Sequence, residues 1–271
     1  MDEVHARWGG PATITVVSPS YSNPPVIETS LAVQFAPFSE WNVSLLGAFG
    51  ERIASRYPQF NAAAAVVLKG KLPFSLSAGA VPRVRGLYVN GAAGRLVQVQ
   101  DDMFAVNWQR KHSSDEQYPR YASLRQTFVE ELDGYFRFLR DRGISSPTIT
   151  GCQVTYINVV DPSSGLSYAD VWNLMASPTR RDLTDPFHLT SLNVTAMFAE
   201  ESVELTYSVT PALRMHDNAS VIQFNLVSAE SQVEASGNDL LTKMDRAHDL
   251  LIRAFEGMTS DLAKEVWGRI T

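Results

Sequence analysis

RLVQVQDDMFAVNWQ, residues 95–109, alternates apolar and polar side chains on either side of Asp101-Asp102. A tight turn at the two aspartates pairs Gln100 with Met103, Val99 with Phe104 and Val97 with Val106, which puts the apolar residues of both arms on one face. Gln98, Gln100, Asn107 and Gln109 then occupy the other face. Alternation of this kind is the mark of an antiparallel sheet packed on one side only.

The same period appears upstream. Pro24-Pro25 fixes an extended start, after which Ile27, Thr29, Leu31, Val33 and Phe35 alternate with Glu28, Ser30, Ala32 and Gln34. Asn42 or Ser44 can cap a helix carrying Leu45, Leu46, Phe49 and Ile53, and Pro58 stops it. Residues 61–82, with an alanine run, Lys69-Gly70-Lys71, Pro73 and Gly79, read as a loop. Arg85 to Val89 and a turn at Asn90-Gly91 lead into the quoted hairpin. After it, Tyr118-Pro119 opens a long helix whose apolar stripe is Leu124, Phe128, Leu132, Tyr135, Phe136 and Leu139, with Gly143 beyond its end.

A second pass through the same order follows. Thr148 to Val160 reads as a strand and Tyr168 to Met175 as a short helix. Leu189 to Phe198, Val203 to Val209 and Val221 to Val227 read as strands. A last helix runs from Asn238 through Leu241, Met244, His248, Leu251 and Phe255, breaks near Gly257 and restarts at Thr259/Ser260 toward Trp267. The expected fold is α+β: two tandem β-α-β-β-β-α repeats forming an antiparallel sheet covered by long helices on one face. The expected divisions are a flexible leader at 1–23, a first lobe at 24–146 and a second lobe at 147–271.

Composition excludes several classes of function. In a chain of 271 residues, Asp and Glu outnumber Lys and Arg by 29 to 23 and no long basic block occurs, so duplex DNA is not an expected partner and RNA is disfavoured. No apolar run approaches the roughly 20 residues of a membrane span, and the N-terminus has no signal-peptide pattern. These features lead to the expectation of a cytoplasmic protein with no membrane contact. The single cysteine, Cys152, excludes an intrachain disulfide and a thiolate metal cluster. The histidines His5, His112, His188, His216 and His248 show no ligand spacing, so neither a metal nor a cofactor is expected. A nucleophile elbow, a phosphate loop and a dinucleotide fingerprint are all missing, and Gly91-Ala-Ala-Gly94 falls between strands rather than before a helix. Asp245 lies one helical turn from His248 and could orient it, although His248 also falls on the apolar stripe.

Assigning strand residues to faces gives a sharper expectation. The face opposite the apolar one collects Gln34, Gln98, Gln100, Asn107 and Gln109 in the first half and Asn193, Thr206, Gln223 and Asn225 in the second. Amide and hydroxyl groups dominate it, with almost no charge. Such a surface is either the wetted side of a sheet or one that is desolvated against a protein partner or a second copy, since interface cores are depleted of charge.

Four stretches carry a family resemblance: Pro24-Pro25-Val26-Ile27-Glu28; Val97-Gln98-Val99-Gln100 with Asp102, Phe104 and Asn107-Trp108; Tyr118-Pro119-Arg120-Tyr121; and Val154-Thr155-Tyr156-Ile157-Asn158. Together they resemble an uncharacterised, sporadically distributed bacterial protein family. The resemblance implies a bacterial protein in a setting of the defence or mobile-element kind. It marks Glu28, Trp108, Tyr118, Arg120, Tyr121, Tyr156 and Asn158 as candidate site residues without assigning them a role. The duplicated order is also similar to the helix-grip arrangement of the TATA-box-binding-protein fold, and less so to a pair of ferredoxin-like units. The functional expectation is a non-catalytic binding or assembly module acting through the polar face. Its alternatives are an enzyme using Glu28, Asn107, Arg120 and Asn158 between the lobes, and a single-stranded RNA binder stacking bases on Trp108, Tyr118, Tyr121 and Tyr156.

Overall fold

A computed structural model describes residues 19–36, 38, 40–66, 83–111, 118–171, 192–198, 203–214, 217–231 and 237–270. The strands are β1 (Val26–Phe35), β2 (Gln59–Ala64), β3 (Val84–Asn90), β4 (Arg95–Gln100), β5 (Met103–Gln109), β6 (Ile149–Val160), β7 (Leu192–Phe198), β8 (Val203–Leu213) and β9 (Ser220–Ser231). The helices are α1 (Ser44–Ile53), α2 (Arg120–Asp141), α3 (Tyr168–Val171), α4 (Gly237–Met258) and α5 (Asp261–Val266). The fold is α+β, with one nine-stranded antiparallel sheet in the order β2-β3-β4-β5-β1-β6-β9-β8-β7. Its described residues divide into two compact units. One comprises Glu28–Val154 with Ala229–Ala247, and the other comprises 19–27, Thr155–Ser228 and 248–270.

In the first unit the quoted hairpin closes in the expected register, with Gln100 opposite Met103, Val99 opposite Phe104 and Val97 opposite Val106. β5 also pairs with β1, setting Val33 opposite Phe104 and Ser30 opposite Asn107. One side of these strands is aromatic. Phe104 stacks on Tyr135 of α2 at 5.3 Å between ring centroids, and Phe49 of α1 meets Tyr88 and Phe138 at 5.3 and 5.2 Å. Edge and offset ring contacts of this kind add to the area they remove from water. The Tyr88 hydroxyl donates to the Leu46 carbonyl at 2.7 Å, tying α1 to the sheet. Gly86 is required beneath that tyrosine, because a Cβ there would come within 2.8 Å of its hydroxyl. α2 ends as its sequence predicts, with Gly143 at φ +71 and its N–H bonded to the Arg140 carbonyl.

The second unit has its own aromatic centre. Phe224 stacks with Phe255 and Trp267 at 5.9 and 6.2 Å, and Tyr21 meets both of those rings edge-on. Ser260 caps α5, its hydroxyl accepting from the Ala263 N–H at 3.1 Å. The end of the stretch expected to be a leader is tied down here, as Ser22 and Asn23 donate backbone bonds to Gly268 and Trp267, and Ile270 donates to Ser20.

The structure departs from the sequence reading at β2. Composition predicts a loop over residues 61–64, yet Gln59–Ala64 pairs residue for residue with β3, giving the first half one strand more than expected. The reason is position: β2 is the sheet's edge and is exposed along nearly its whole length, so burial imposes no apolar alternation on it. Residues 67–82 of that expected loop, the end of the expected helix after Val171 and the beginning of the expected strand before Leu192 lie outside the described residues.

Candidate functional site

The amide side of β1, β4 and β5 is a connected network. Arg85 Nη1 donates to Gln98 Oε1 at 2.7 Å, and Gln98 Nε2 donates to Asn107 Oδ1 at 2.7 Å. Asn107 Nδ2 in turn donates to Glu28 Oε1 at 2.5 Å. Ser30 Oγ adds a 3.2 Å bond to Asn107 Oδ1, and Gln109 Nε2 donates to Glu28 Oε2 at 3.0 Å. The chain therefore runs from a guanidinium through two amides to a carboxylate, and the charges at its ends fix which way each amide points. Strand register explains the assembly: Glu28 is opposite Gln109, Ser30 opposite Asn107, and Leu87, two residues beyond Arg85, opposite Gln98. Burial pulls the Arg85 guanidinium below its ordinary pKa, and Glu28 opposes that shift.

This network differs from the open, charge-free surface that alternation implied. Gln98 and Asn107 are buried, Glu28 and Arg85 are half-buried, and Gln109 alone among the five is exposed. The two charged groups belong to the face, and sequence reasoning missed Arg85 because nothing local pairs it with Gln98. β3–β4 register would have been needed to find it.

Gln100 serves a second cluster. Gln100 Oε1 accepts from the Val66 N–H at 3.0 Å and its Nε2 donates to the Val66 carbonyl at 2.8 Å, which is how a strand residue would be held by its neighbour. Val66 is thereby fixed over Ala32, Met103 and Ala105, a small apolar patch on the same side. Gln100 Nε2 also donates to Asp102 at 2.6 Å, and Arg83 grips Asp101 and Asp102 together. Gln34 is buried beside Gly151, where its carboxamide carbon would lie 3.5 Å from an added Cβ.

In the second unit the corresponding residues are less enclosed. Thr195 and Thr206 share a 3.1 Å hydroxyl contact across β7 and β8, and Thr206 donates to Glu204 at 3.3 Å. Gln223 Nε2 donates to Asn225 Oδ1 at 3.2 Å along β9. Asn193 and Thr195 are exposed, Gln223 and Asn225 half-exposed, and only Thr206 is buried.

Of the family-motif candidates only Glu28 joins the amide network of the first unit, and the others fall elsewhere. Trp108 is buried and meets Tyr118 at 5.3 Å. Tyr121 is buried, donating to Asp245 at 2.8 Å beside Arg125, which forks onto the same carboxylate at 2.7 and 3.1 Å. This cluster joins α2 to α4, and burial, followed by the charge of Asp245, holds the Tyr121 hydroxyl well above its usual pKa. Arg120 begins α2 at φ 64, while Asn158 donates to the Phe224 carbonyl at 3.3 Å and Tyr156 lies 6.1 Å from the His248 ring. Of the four residues expected in an inter-lobe site, Glu28 and Asn107 are bonded to each other.

Among the described residues, Asp245, His248, Cys152 and Glu230 are enclosed rather than presented. Asp245 is held by Tyr121 and Arg125, and His248 instead has Asp249 at 3.4 Å from its Nδ1. Cys152 is fully buried, and burial pushes its thiol up to about 12, so thiolate chemistry is suppressed. Glu230 sits beneath Arg246 at 2.9 Å and Lys243 at 3.7 Å, with burial raising its carboxyl pKa against both cations. A cavity of ≈ 390 Å³ lies between α1 and α2, but each of its arginines is already matched: Arg52 to Asp141, Arg56 to Glu131 and Arg137 to Asp133. Among the described residues, no group of His, Cys, Asp and Glu is placed to hold a metal, and no helix is long and apolar enough to cross a membrane. Compared with family models, curated proteins and solved structures, the chain matches none.

Proposed function

We propose that this chain is a non-catalytic binding or assembly module of a bacterial cytoplasmic system, of the defence or mobile-element kind, that engages a protein through the amide side of its sheet. The observation that carries the reading is the Arg85–Gln98–Asn107–Glu28 chain. Its buried part holds donors and acceptors in fixed directions, and Gln109 and Glu28 continue it toward solvent. Preorganised polar groups lose little entropy when a partner meets them. The proposed architecture behind it is the tandem repeat with long helices on one face. Supporting it, the sheet reads β1, β5, β4, β3 outward in one direction, with β2 added beyond β3, and β6, β9, β8, β7 in the other. Contacts of Phe35 and Phe104 with Tyr135 of α2 support the helix-covered side.

The RNA alternative loses support, because Trp108, Tyr121 and Tyr156 are 2%, 5% and 7% exposed, which leaves only the half-buried Tyr118, packed against Trp108, of the four proposed platforms. Gln98 and Asn107 are too enclosed for charge to be introduced harmlessly, so the test uses Gln109→Glu, which sets a second carboxylate against Glu28 at an exposed position. Affinity capture from a bacterial host, with sedimentation to follow complexes, is expected to show a defined protein partner that binds wild type and not the variant. A variant that folds and keeps the same partner at the same affinity overturns the reading, as does wild type that captures none.

A further inference from the structure

The edge strand β2 points to an interface that is independent of the amide side. Its sequence, QFNAAA, contains no charge and no proline, and five of its six positions are exposed, with Phe60 at 48%. Natural sheet edges are ordinarily blunted by Lys, Pro or a bulge, because an open row of N–H and C=O groups pairs with other strands. β2 has no such device within it.

The direction of each backbone group follows from the β2–β3 ladder. Ala65 donates its N–H to the Arg83 carbonyl, and the register pairs Ala64 with Val84 and Ala62 with Gly86. In an antiparallel ladder bonded and non-bonded pairs alternate, so Asn61 and Ala63 turn their N–H and C=O toward β3, and Phe60, Ala62 and Ala64 turn theirs outward. We propose that β2 pairs antiparallel with β2 of a second copy of this chain about a twofold axis at Ala62, joining the two sheets edge to edge.

Three features select that occupant and that register. Extending the sheet with its faces preserved requires the axis to pass through a residue, and an axis at Ala62 matches every outward group: Ala62 with Ala62 of the other copy, and Phe60 with Ala64. Moving the axis to Asn61 sets Ala64 against Pro58, which has no N–H. Moving it to Ala63 sets Phe60 against Val66, whose N–H and C=O are already bonded to Gln100. Side chains agree with the register, since the exposed Phe60 ring, 5.3 Å from Tyr88, lies over the small Ala64 of the other copy. The absence of charge lets identical strands approach without repulsion. An interface this narrow gives a concentration-dependent dimer rather than a permanent one.

The register makes a specific test possible. Ala62→Pro removes an N–H that points outward, so the β2–β3 ladder keeps its bonds and only the proposed pairing is lost. In sedimentation the wild-type mass is expected to double with rising concentration, and Ala62→Pro to keep the single-chain mass with an unchanged circular dichroism spectrum. Ala62→Cys places two thiols on a bonded pair, with Cα atoms about 5.5 Å apart, within disulfide reach. It should form a covalent dimer on oxidation, whereas Ala63→Cys faces Asn61 of the other copy and should not. Cys152 is buried and does not compete. Gln109→Glu should dimerise like wild type, separating this interface from the amide side. Single-chain wild type at every concentration, an Ala62→Pro dimer, or equal cross-linking of both cysteine variants overturns the proposal. If Ala62→Pro does not fold, the cysteine pair decides.

Discussion

Both units carry Asn, Gln, Ser and Thr on one side of their strands, and the two sets behave differently. In the first, Gln98 and Asn107 are buried between the charges of Arg85 and Glu28, and every amide in the chain has a fixed role. In the second, Gln223 bonds only along its own strand to Asn225, and both remain half-exposed. The same residue types at the same period thus make an interior polar network in one place and, apart from the buried Thr206 bonded to Thr195 and Glu204, a wetted surface in the other. What separates them is the presence of a charged group at each end and of Val66 held over the neighbouring patch. A buried amide is tolerated when its partners are satisfied, and it becomes costly when one of them is removed.

Trp108→Ala should have the largest effect on stability, about 3–5 kcal/mol by denaturant titration, because it empties a buried aromatic site beside Tyr118. A loss below about 1 kcal/mol would show that the aromatic side of β5 is not what holds the first unit. On the opposite side of the same strand, Asn107→Ala should cost about 1–3 kcal/mol, since it strands the Gln98 donor and deprives Glu28 of one bond. A neutral result would make the network a surface feature like that of the second unit and erase the contrast.

A smaller effect is expected at Asp161, in the second unit, whose carboxyl is held below the usual aspartate pKa by the Ser163 backbone N–H, with Arg214 contributing. A depressed folded pKa means that its contribution is present above the unfolded pKa and lost as pH falls through the folded one. Asp161→Asn should therefore flatten part of the acid limb of stability against pH while leaving the alkaline limb unchanged. An acid limb that superimposes on wild type would remove Asp161 from the account. Smallest of all, Gln223→Ala and Asn225→Ala should each stay within about 0.5 kcal/mol of wild type. A loss like that of Asn107→Ala would mean that the second unit hides a network of its own.

Much of the first unit was legible in its residues. The hairpin at Asp101-Asp102 followed from alternation, the C-terminal stop of α2 from Gly143, and, in the second unit, the cap of α5 from Ser260, because each depends on neighbours within a few positions. β2 was missed because an exposed edge strand is under no demand for a pattern. Arg85 was missed because its partners come from other strands, and Val66 because a glutamine side chain, not a local motif, holds it. At His248 the apolar stripe prevails over the one-turn spacing to Asp245: the ring is buried with Asp249 beside it, and Asp245 is held by Tyr121 and Arg125.

The sequence by itself determined the α+β class, the strands whose two sides differ, and the register of the central hairpin, since periodicity and turn chemistry are local and leave few alternatives. Tertiary structure alone decided which polar residues are inside. Burial of an amide depends on whether a charge, a backbone segment or water lies opposite it, and residues distant along the chain supply those neighbours: Glu28 for Asn107, Arg85 for Gln98 and Val66 for Gln100.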